Sequence, residues 1–215
     1  MSRYFIARHG ETVFNAAGRI QGEAPHTPLT RAGFAQAEEM GRVLRDHLGP
    51  APRLTMWASP TDRALQTLAI VAEHLALDWH AARTDPRLAE MRMGAWGGLY
   101  HRDIRAAMAA SVDASTGLLS ISPPGGEGFD EIAVRVGAWL DEQRGEAGDR
   151  LVIMHGVSSR VLRGVMTGAP HRPECRAPVA ENLPQGSIVC IEDGRERVIH
   201  LGSGGRGVAG ASLSA

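Results

Sequence analysis

The chain lacks several features that would place it in a membrane or an oxidising compartment. It has only two cysteines, Cys175 and Cys190, and these lack CxxC spacing. The chain also contains no lysine. We expect both cysteines to be reduced and to fill space in the fold. No apolar run approaches the roughly 18 residues that a membrane span needs. The apolar stretch in MSRYFIARHG is too short for a signal peptide, so we expect a cytoplasmic protein.

Basic and acidic residues nearly cancel, at 23 and 24, for a formal net charge of −1. This balance predicts no nucleic-acid or membrane partner, so any affinity for anions must be local. Hydrophobic residues form 43% of the 215, enough for one buried core. We predict a single domain over residues 1–200, followed by a C-terminal tail of small residues at 201–215 without secondary structure.

Short apolar runs alternate with longer helical patterns, as is typical of a layered α/β domain. The best candidate strands are residues 3–7, 54–58, 150–154 and 187–191. Apolar spacing predicts helices at residues 30–48, 60–75, about 101–112, 129–143 and 157–167. The interval 76–127 is punctuated by Gly and Pro, so we expect loops and short helices there rather than a second core.

Three of the predicted strands lead into a cation or an imidazole. Arg8 and His9 follow the first strand, His155 follows the strand at 150–154, and Arg63 begins the helix after the strand at 54–58. Open α/β sheets bind ligands beyond the carboxyl ends of their strands, so these groups should share a site. Cations placed together are costly without an anion, and a phosphoryl group would offset that cost.

The residue types also favour phosphate over a metal. Arginine offers a planar fork of donors for phosphate oxygens, helix N-termini add backbone N–H groups, and the amide of Asn15 can donate as well. The chain has no HExxH, no HxH and no carboxylates at ligand spacing. We therefore predict no metal site and no cofactor.

Eight motifs follow one another along the chain: RHGET at 8–12, Asn15, RIQG at 19–22, PLTRAG at 28–33, SPTDRALQT at 59–67, LAEMRMGAWGG at 88–98, PPGGEG at 123–128 and IMHG at 153–156. In this order they resemble the histidine phosphatase superfamily, in its phosphoglycerate mutase-like branch. The resemblance covers residue 3 to about residue 190. It implies a three-layer α/β/α sandwich with a mostly parallel central sheet and one antiparallel strand.

The resemblance also implies roles for single residues. His9 would be the nucleophile that becomes phosphohistidine, and Glu90 would be the proton donor. The residues expected to bind the phosphoryl group or the rest of the substrate are Arg8, Arg63, His155, Asn15, Gln21, Gly22 and Gly156. His9 must be neutral before attack, and the nearby arginines favour that form. We expect His155 to be cationic and to stabilise charge on the transferring group.

Three functions are consistent with these residues. The first, which we favour, is metal-independent hydrolysis of a small phosphomonoester through phosphohistidine. The second is a phosphoglycerate mutase, although mutases usually follow their acidic residue with a Tyr-Gly run and a lysine-containing segment, and this chain has GAWGG and LYHRD there. The third is a non-catalytic phosphoester-binding protein, which would need the cations but neither the nucleophile nor the acid.

The segment after RIQG departs from the usual pattern of the family. Relatives commonly read through an Asp to Pro-Leu, whereas this chain reads EAPHTPLT, with one extra residue. The sequence leaves open whether the 23–27 loop or the C-terminal tail contacts substrate, which phosphomonoester is bound, and whether the chain forms a homodimer.

Overall fold

The computed structural model describes residues 2–111, 118–119 and 121–205. The helices in this part of the chain are α1 (Val13–Ala16), α2 (Arg31–Leu48), α3 (Asp62–Leu75), α4 (Arg105–Ser111), α5 (Phe129–Gln143) and α6 (Gly156–Thr167). The strands are β1 (Tyr4–Arg8), β2 (Leu54–Ala58), β3 (Arg83–Thr84), β4 (Asp149–Met154), β5 (His171–Arg172), β6 (Ala177–Pro178), β7 (Ile188–Glu192) and β8 (Arg195–His200). Single 3₁₀ turns occupy Trp79–Ala81, Pro86–Leu88 and Gly94–Trp96.

Six of these strands form one sheet in the order β3-β2-β4-β1-β7-β8. The pairs β3/β2, β2/β4 and β4/β1 are parallel. Strand β7 pairs antiparallel with both β1 and β8, so it runs against every other described strand of this sheet. The expected mostly parallel sheet with one antiparallel strand is confirmed.

Side chains alternate between the two faces of the sheet, and each face has its own core. Tyr4 and Ile6 of β1 join a buried cluster with side chains of α5 and α6, including Trp139 and Val161. The intervening residues of β1 point the other way, and the second cluster, on the side of α2 and α3, contains Phe5, Ala7, Met40 and Leu68. A strand buried on both faces reads as a continuous apolar run, as β1 does. Two helical layers around one sheet confirm the predicted α/β/α sandwich.

The four candidate strands and the main helices are all present, with small differences at their ends. Helix α3 begins at Asp62 rather than 60, because Thr61 is its N-cap. Helix α4 begins at Arg105 rather than 101, since 101–104 form turns, and its predicted last residue, 112, lies outside the described residues. Strand β8 was not predicted. It follows a turn at Asp193 and Gly194, both with positive φ, and pairs with β7.

The first residues of the predicted tail contact the end of the sheet. The N–H of Gly202 donates to Ser187 Oγ at 2.9 Å, and the N–H of Gly204 donates to the carbonyl of Gln185 at 3.3 Å. The rest of the predicted tail, 206–215, lies outside the described residues. No helix in the described part of the chain is long and apolar enough to cross a bilayer. Cys175 and Cys190 are buried free thiols, as expected.

Candidate active site

The site is built at the carboxyl ends of three neighbouring strands. Arg8 ends β1 in register with Met154 of β4, so His9 and His155 leave the sheet side by side. Their ring centroids lie 5.2 Å apart. Strand β2 leads into α3, whose first turn places Arg63 against His155. All four side chains are buried, with His9 2% and His155 0% exposed.

His9 is held as a neutral ring in one tautomer. Its Nδ1 lies 2.7 Å from the carbonyl oxygen of Gly10. Because a carbonyl only accepts, the proton of a neutral ring is on Nδ1 and the lone pair is on Nε2. Burial lowers the pKa of His9 well below its ordinary value of 6.5, and the charges of Arg63 and Arg8 lower it further.

His155 is held in the opposite tautomer. Arg63 donates from Nε to His155 Nδ1 at 3.2 Å, which makes Nδ1 an acceptor and leaves the ring proton on Nε2. Burial, and then the charge of Arg63, lowers the pKa of His155 well below 6.5. The expected cationic His155 is therefore wrong. Its Nε2 is buried and has no hydrogen-bond partner among the described residues, so this N–H can donate to a ligand.

Arg63 also organises the loop that contains the extra residue. Its Nη1 donates to the carbonyl of Ala24 at 2.7 Å and to Thr27 Oγ1 at 2.8 Å, and its Nη2 donates to the carbonyl of Gly22 at 2.8 Å. With the bond to His155, these contacts use four of the five guanidinium N–H groups. Burial lowers the pKa of Arg63 to about 10, so it remains a cation at neutral pH.

Arg8 lies across the start of α6. Its Nη1 donates to the carbonyl of Leu183 at 2.6 Å. A Cβ placed on Gly156 would lie 3.2 Å from both Cζ and Nη2 of Arg8, so the guanidinium packs directly on this glycine. Burial lowers the pKa of Arg8 to about 10, and the negative charge of Glu90 opposes that shift. Arg8 is thus a second buried cation of the site.

Glu90 reaches the same site from an irregular segment between two 3₁₀ turns. Its Oε1 accepts from the N–H of Met91 and of Ser158, both at 2.9 Å, and its Oε2 accepts from the N–H of Val157 at 3.0 Å. The carboxylate therefore lies at the N-terminus of α6, where backbone N–H groups favour an anion. His155 is the N-cap of that helix, so the acid and the second histidine are neighbours.

Of the other predicted substrate residues, Asn15 and Gln21 meet at Thr12, and Gly22 is joined to Arg63 through its carbonyl. Asn15 Oδ1 accepts from the N–H of Thr12, so the Nδ2 amino group of Asn15 is the part of its side chain that can donate to a ligand. Gln21 Oε1 accepts from Thr12 Oγ1. Gly22 has φ +52°, and a Cβ there would lie 2.9 Å from Met93 Cγ. His26 is exposed and contacts Asp62 at 3.1 Å.

Several supporting groups were not predicted from the sequence. Thr67 Oγ1 accepts from the N–H of Gly10 at 3.2 Å and so fixes the loop after His9. The carbonyl of Leu183, which accepts from Arg8, is a backbone group, so the type of residue at this position does not indicate its role. The ion pair of Glu127, which is buried, and Arg135, which is partly buried, contacts the segment that carries Glu90, and its only sequence signal was the PPGGEG motif. Across the described residues, no cluster of three or more His, Cys, Asp or Glu could hold a metal ion.

Comparison with known proteins gives a consistent result. The profile described as the histidine phosphatase superfamily (branch 1) matches residues 4–202. Adenosylcobalamin/alpha-ribazole phosphatase of Salmonella typhimurium is 33% identical over 169 residues, covering 77% of this chain and 80% of that protein. Probable phosphoglycerate mutase GpmB of Photorhabdus laumondii is 31% identical over 182 residues, 82% of this chain and 80% of that protein. The crystal structure of the alpha-ribazole phosphatase from Shigella flexneri aligns with TM-score 0.70 and 26% identity, over 94% of this chain and 96% of that one.

Proposed function

Because the chain belongs to branch 1 of the histidine phosphatase superfamily, we propose that it is a phosphatase that hydrolyses a small phosphomonoester through phosphohistidine at His9, without a metal. The observation that carries this proposal is the pair of opposite tautomers. His9 has its lone pair on Nε2, and His155 has its proton on Nε2, in one site with two buried arginines. One ring can attack phosphorus while the other donates to a phosphoryl oxygen.

The first half of the reaction transfers the phosphoryl group to the enzyme. His9 Nε2 forms a bond to phosphorus as the bond from phosphorus to the ester oxygen breaks. The negatively charged phosphoryl group bound beside Glu90 opposes the ionised form that the backbone N–H groups favour, and Glu90 then acts as the acid that gives its proton to the departing alkoxide. Arg8, Arg63 and the Nε2–H of His155 stabilise the charge on the remaining oxygens. Asn15 Nδ2 adds a donor, and Gln21, Gly22 and Gly156 border the space for the rest of the substrate.

The second half returns the enzyme to its starting state. A water molecule attacks phosphorus as the bond to His9 Nε2 breaks, and the Glu90 carboxylate takes the proton of that water. Phosphate then leaves, with His9 neutral and Glu90 protonated again. Because the pKa of His9 is lowered, its ring nitrogen is a ready nucleophile at neutral pH.

Phosphoglycerate mutase activity is the second candidate, favoured by the identity to the Photorhabdus protein. It shares the first half of the reaction. In the second half the acceptor is a hydroxyl of a bound phosphoglycerate instead of water. The GAWGG and LYHRD sequences after Glu90, where mutases usually have a Tyr-Gly run and a lysine-containing segment, favour hydrolysis over transfer.

The test is a panel of phosphomonoesters, including alpha-ribazole 5′-phosphate, a sugar phosphate and 3-phosphoglycerate, with released phosphate as the readout. We expect release from at least one substrate, unchanged after exhaustive chelation. Brief mixing with labelled substrate and denaturation in base should leave label on His9, and His9→Ala should abolish both label and release. Isomerised phosphoglycerate without released phosphate would favour the mutase, and label on another residue would contradict the mechanism.

A further inference from the structure

Glu90 must place its carboxyl within hydrogen-bond reach of the leaving oxygen, yet its segment is irregular. Residues 89–93 lie between the turns Pro86–Leu88 and Gly94–Trp96 and belong to no helix or strand. The positions of their backbone groups must therefore be fixed by contacts from elsewhere. Besides the N–H groups of α6 that hold the Glu90 carboxylate and Glu23, which accepts from the N–H of Met93, these contacts come from α5 and from the residues just before it.

Arg135 of α5 holds the backbone on the N-terminal side of the acid and at the acid itself. Its Nη1 donates to the carbonyl of Arg87 at 2.5 Å, and its Nη2 donates to the carbonyl of Glu90 at 3.3 Å. A guanidinium is a rigid fork, so two carbonyls held by one fork are fixed relative to each other.

Glu127 holds the backbone on the C-terminal side of the acid. It is 1% exposed. Its Oε1 accepts from the N–H of Arg92 at 3.0 Å, and its own N–H donates to the carbonyl of Arg92 at 3.0 Å. The same carboxylate pairs with Arg135, from Nη2 to Oε1 at 2.7 Å and from Nε to Oε2 at 3.2 Å. One ion pair, between the buried Glu127 and the partly buried Arg135, thus contacts the chain before, at and after Glu90.

Two glycines, Gly126 beside Glu127 and Gly94 after the segment of Glu90, allow the two segments to come close together. A Cβ on Gly126 would lie 2.4 Å from the carbonyl oxygen of Arg92, and a Cβ on Gly94 would lie 2.2 Å from that of Pro124. The two segments therefore meet backbone to backbone, and the N–H of Ala95 donates to the carbonyl of Pro124 at 2.9 Å. Side chains at these positions would push the segment of Glu90 away from α5.

We propose that the ion pair of Glu127 and Arg135 is a positioning device for the general acid. This inference rests on the proposed role of Glu90 as proton donor. An ion pair at the edge of a core often stabilises a protein no more than apolar residues of the same size would, so stability alone is a poor reason for this one. A displacement of a catalytic group by about 1 Å can slow a reaction on the order of 10²-fold. Keeping Glu90 in place is therefore a sufficient reason for the ion pair.

The experiment compares wild type, Glu90→Gln, Glu127→Gln and the double variant on an alkyl phosphate and on p-nitrophenyl phosphate. The nitrophenolate needs little help from an acid, so Glu90→Gln should slow the alkyl substrate by about 10²- to 10⁴-fold and largely spare the aryl one. Glu127→Gln should show the same selectivity, with a loss in kcat on the order of 10- to 100-fold and little change in KM. In the background of Glu90→Gln, where the acid is already gone, Glu127→Gln should have no further effect on the alkyl substrate.

Arg135→Lys is the second variant, because it keeps the charge but cannot hold two carbonyls with one fork. We expect the same selective loss, which keeps the test decisive if Glu127→Gln does not fold. Glu142→Gln is the matched control: Glu142 also lies on α5 and pairs with the side chain of Arg87, but it contacts no backbone group next to the acid, and we expect both rates to be unchanged.

Two results separate the possible failures. If Glu90→Gln affects both substrates equally, the general acid itself is wrong, and its positioning fails with it. If Glu90→Gln is selective but Glu127→Gln and Arg135→Lys slow both substrates alike, or Glu127→Gln keeps its full effect in the double variant, the positioning role alone is overturned.

Discussion

At the scale of single residues, the two histidines differ only in which neighbour each one meets. A carbonyl next to His9 requires a proton on Nδ1, and an arginine next to His155 requires a lone pair on the same atom. Neither ring needs a charge to do its part, because a neutral imidazole has one donor and one acceptor. The chemistry of the site therefore follows from two hydrogen bonds.

These tautomers can be observed directly by ¹⁵N NMR of histidine-labelled protein. We expect His9 as the Nδ1–H form and His155 as the Nε2–H form, both neutral at about pH 7, since burial and the arginines lower both pKa values. Arg63→Lys removes the donor to Nδ1 and should shift the population of His155 while leaving His9 in its form. The same tautomer on both rings, or a cationic His155, would contradict the arrangement.

The sequence was sufficient for some residues and not for others. The order of motifs and the positions of strand ends were enough to select Arg8, His9, Arg63 and His155. The protonation of His155 was not accessible, because it depends on burial and on the direction of a side chain from a distant helix. The partners of Glu90 were also out of reach, since α5 meets its segment only in the folded chain.

At the scale of elements, the N-terminus of α6 brings together an acid and a cation. Its first turn donates N–H groups to Glu90, and its first residue, Gly156, lies under Arg8. Glycine has a low intrinsic helix propensity, up to about 1 kcal/mol below that of alanine in a helix interior, so propensity gives no reason for a glycine here. The close approach of Arg8 gives a reason for this glycine.

Gly156→Ala should therefore separate stability from function. The new Cβ would lie 3.2 Å from the guanidinium, so Arg8 must shift by a few tenths of an ångström. We expect the KM for substrate and the inhibition constant of inorganic phosphate to rise by roughly 3- to 10-fold, because smaller displacements cost less than the 10²-fold of a full ångström. The midpoint of urea unfolding should fall little or not at all.

Gly137→Ala is the control for helix propensity. Gly137 lies in α5, and a Cβ there would meet no atom of the residues that the structure describes within 4 Å. This substitution should raise the free energy of unfolding by about 0.5–1 kcal/mol and leave KM unchanged. If Gly156→Ala also leaves KM and the inhibition constant of phosphate unchanged, the contact between Gly156 and Arg8 does not contribute to substrate binding.

Elements with strong periodicity were predictable, and those fixed by tertiary contacts were not. Helix α5 was predicted at its observed ends, 129–143, because its apolar positions repeat with helical spacing. Strand β8 reads RERVIH, with exposed polar side chains over most of its length, so it gives no apolar run. Its place at the edge of the sheet depends on the turn at Asp193 and Gly194 and on pairing with β7.

At the scale of the whole molecule, the site joins the two helical layers. Arg63 comes from α3 on one face of the sheet, and Glu90 and His155 are held by α5 and α6 on the other. The central strands β1 and β4 carry the two histidines between these layers. Because groups from both faces of the sheet are buried together here, the site and the fold share their stability.

The burial of both histidines at this site predicts that the protein loses stability in mild acid. His9 and His155 have folded-state pKa values well below 6.5, and in the unfolded chain both return to about 6.5. Above that pH, both states are neutral and the free energy of unfolding is independent of these groups. Below it, both histidines bind a proton in the unfolded chain but stay neutral in the folded chain. The free energy of unfolding therefore falls by up to about 1.4 kcal/mol per pH unit for each histidine.

Urea unfolding between about pH 8 and pH 5.5 should show this decline, and His9→Asn or His155→Asn should each reduce the slope by up to about 1.4 kcal/mol per pH unit. Asparagine can replace the donor of His9 or the acceptor of His155 but does not titrate. The lowered pKa values of His47, His101 and His200 add to the slope in all variants and do not affect the difference. The paired carboxylates Asp85 and Asp149 also have lowered pKa values, but their contribution is lost only in stronger acid, below the window. A slope unchanged in both variants would mean that the two rings take up protons in the folded protein, and the neutral pair at the centre of the site would then be wrong.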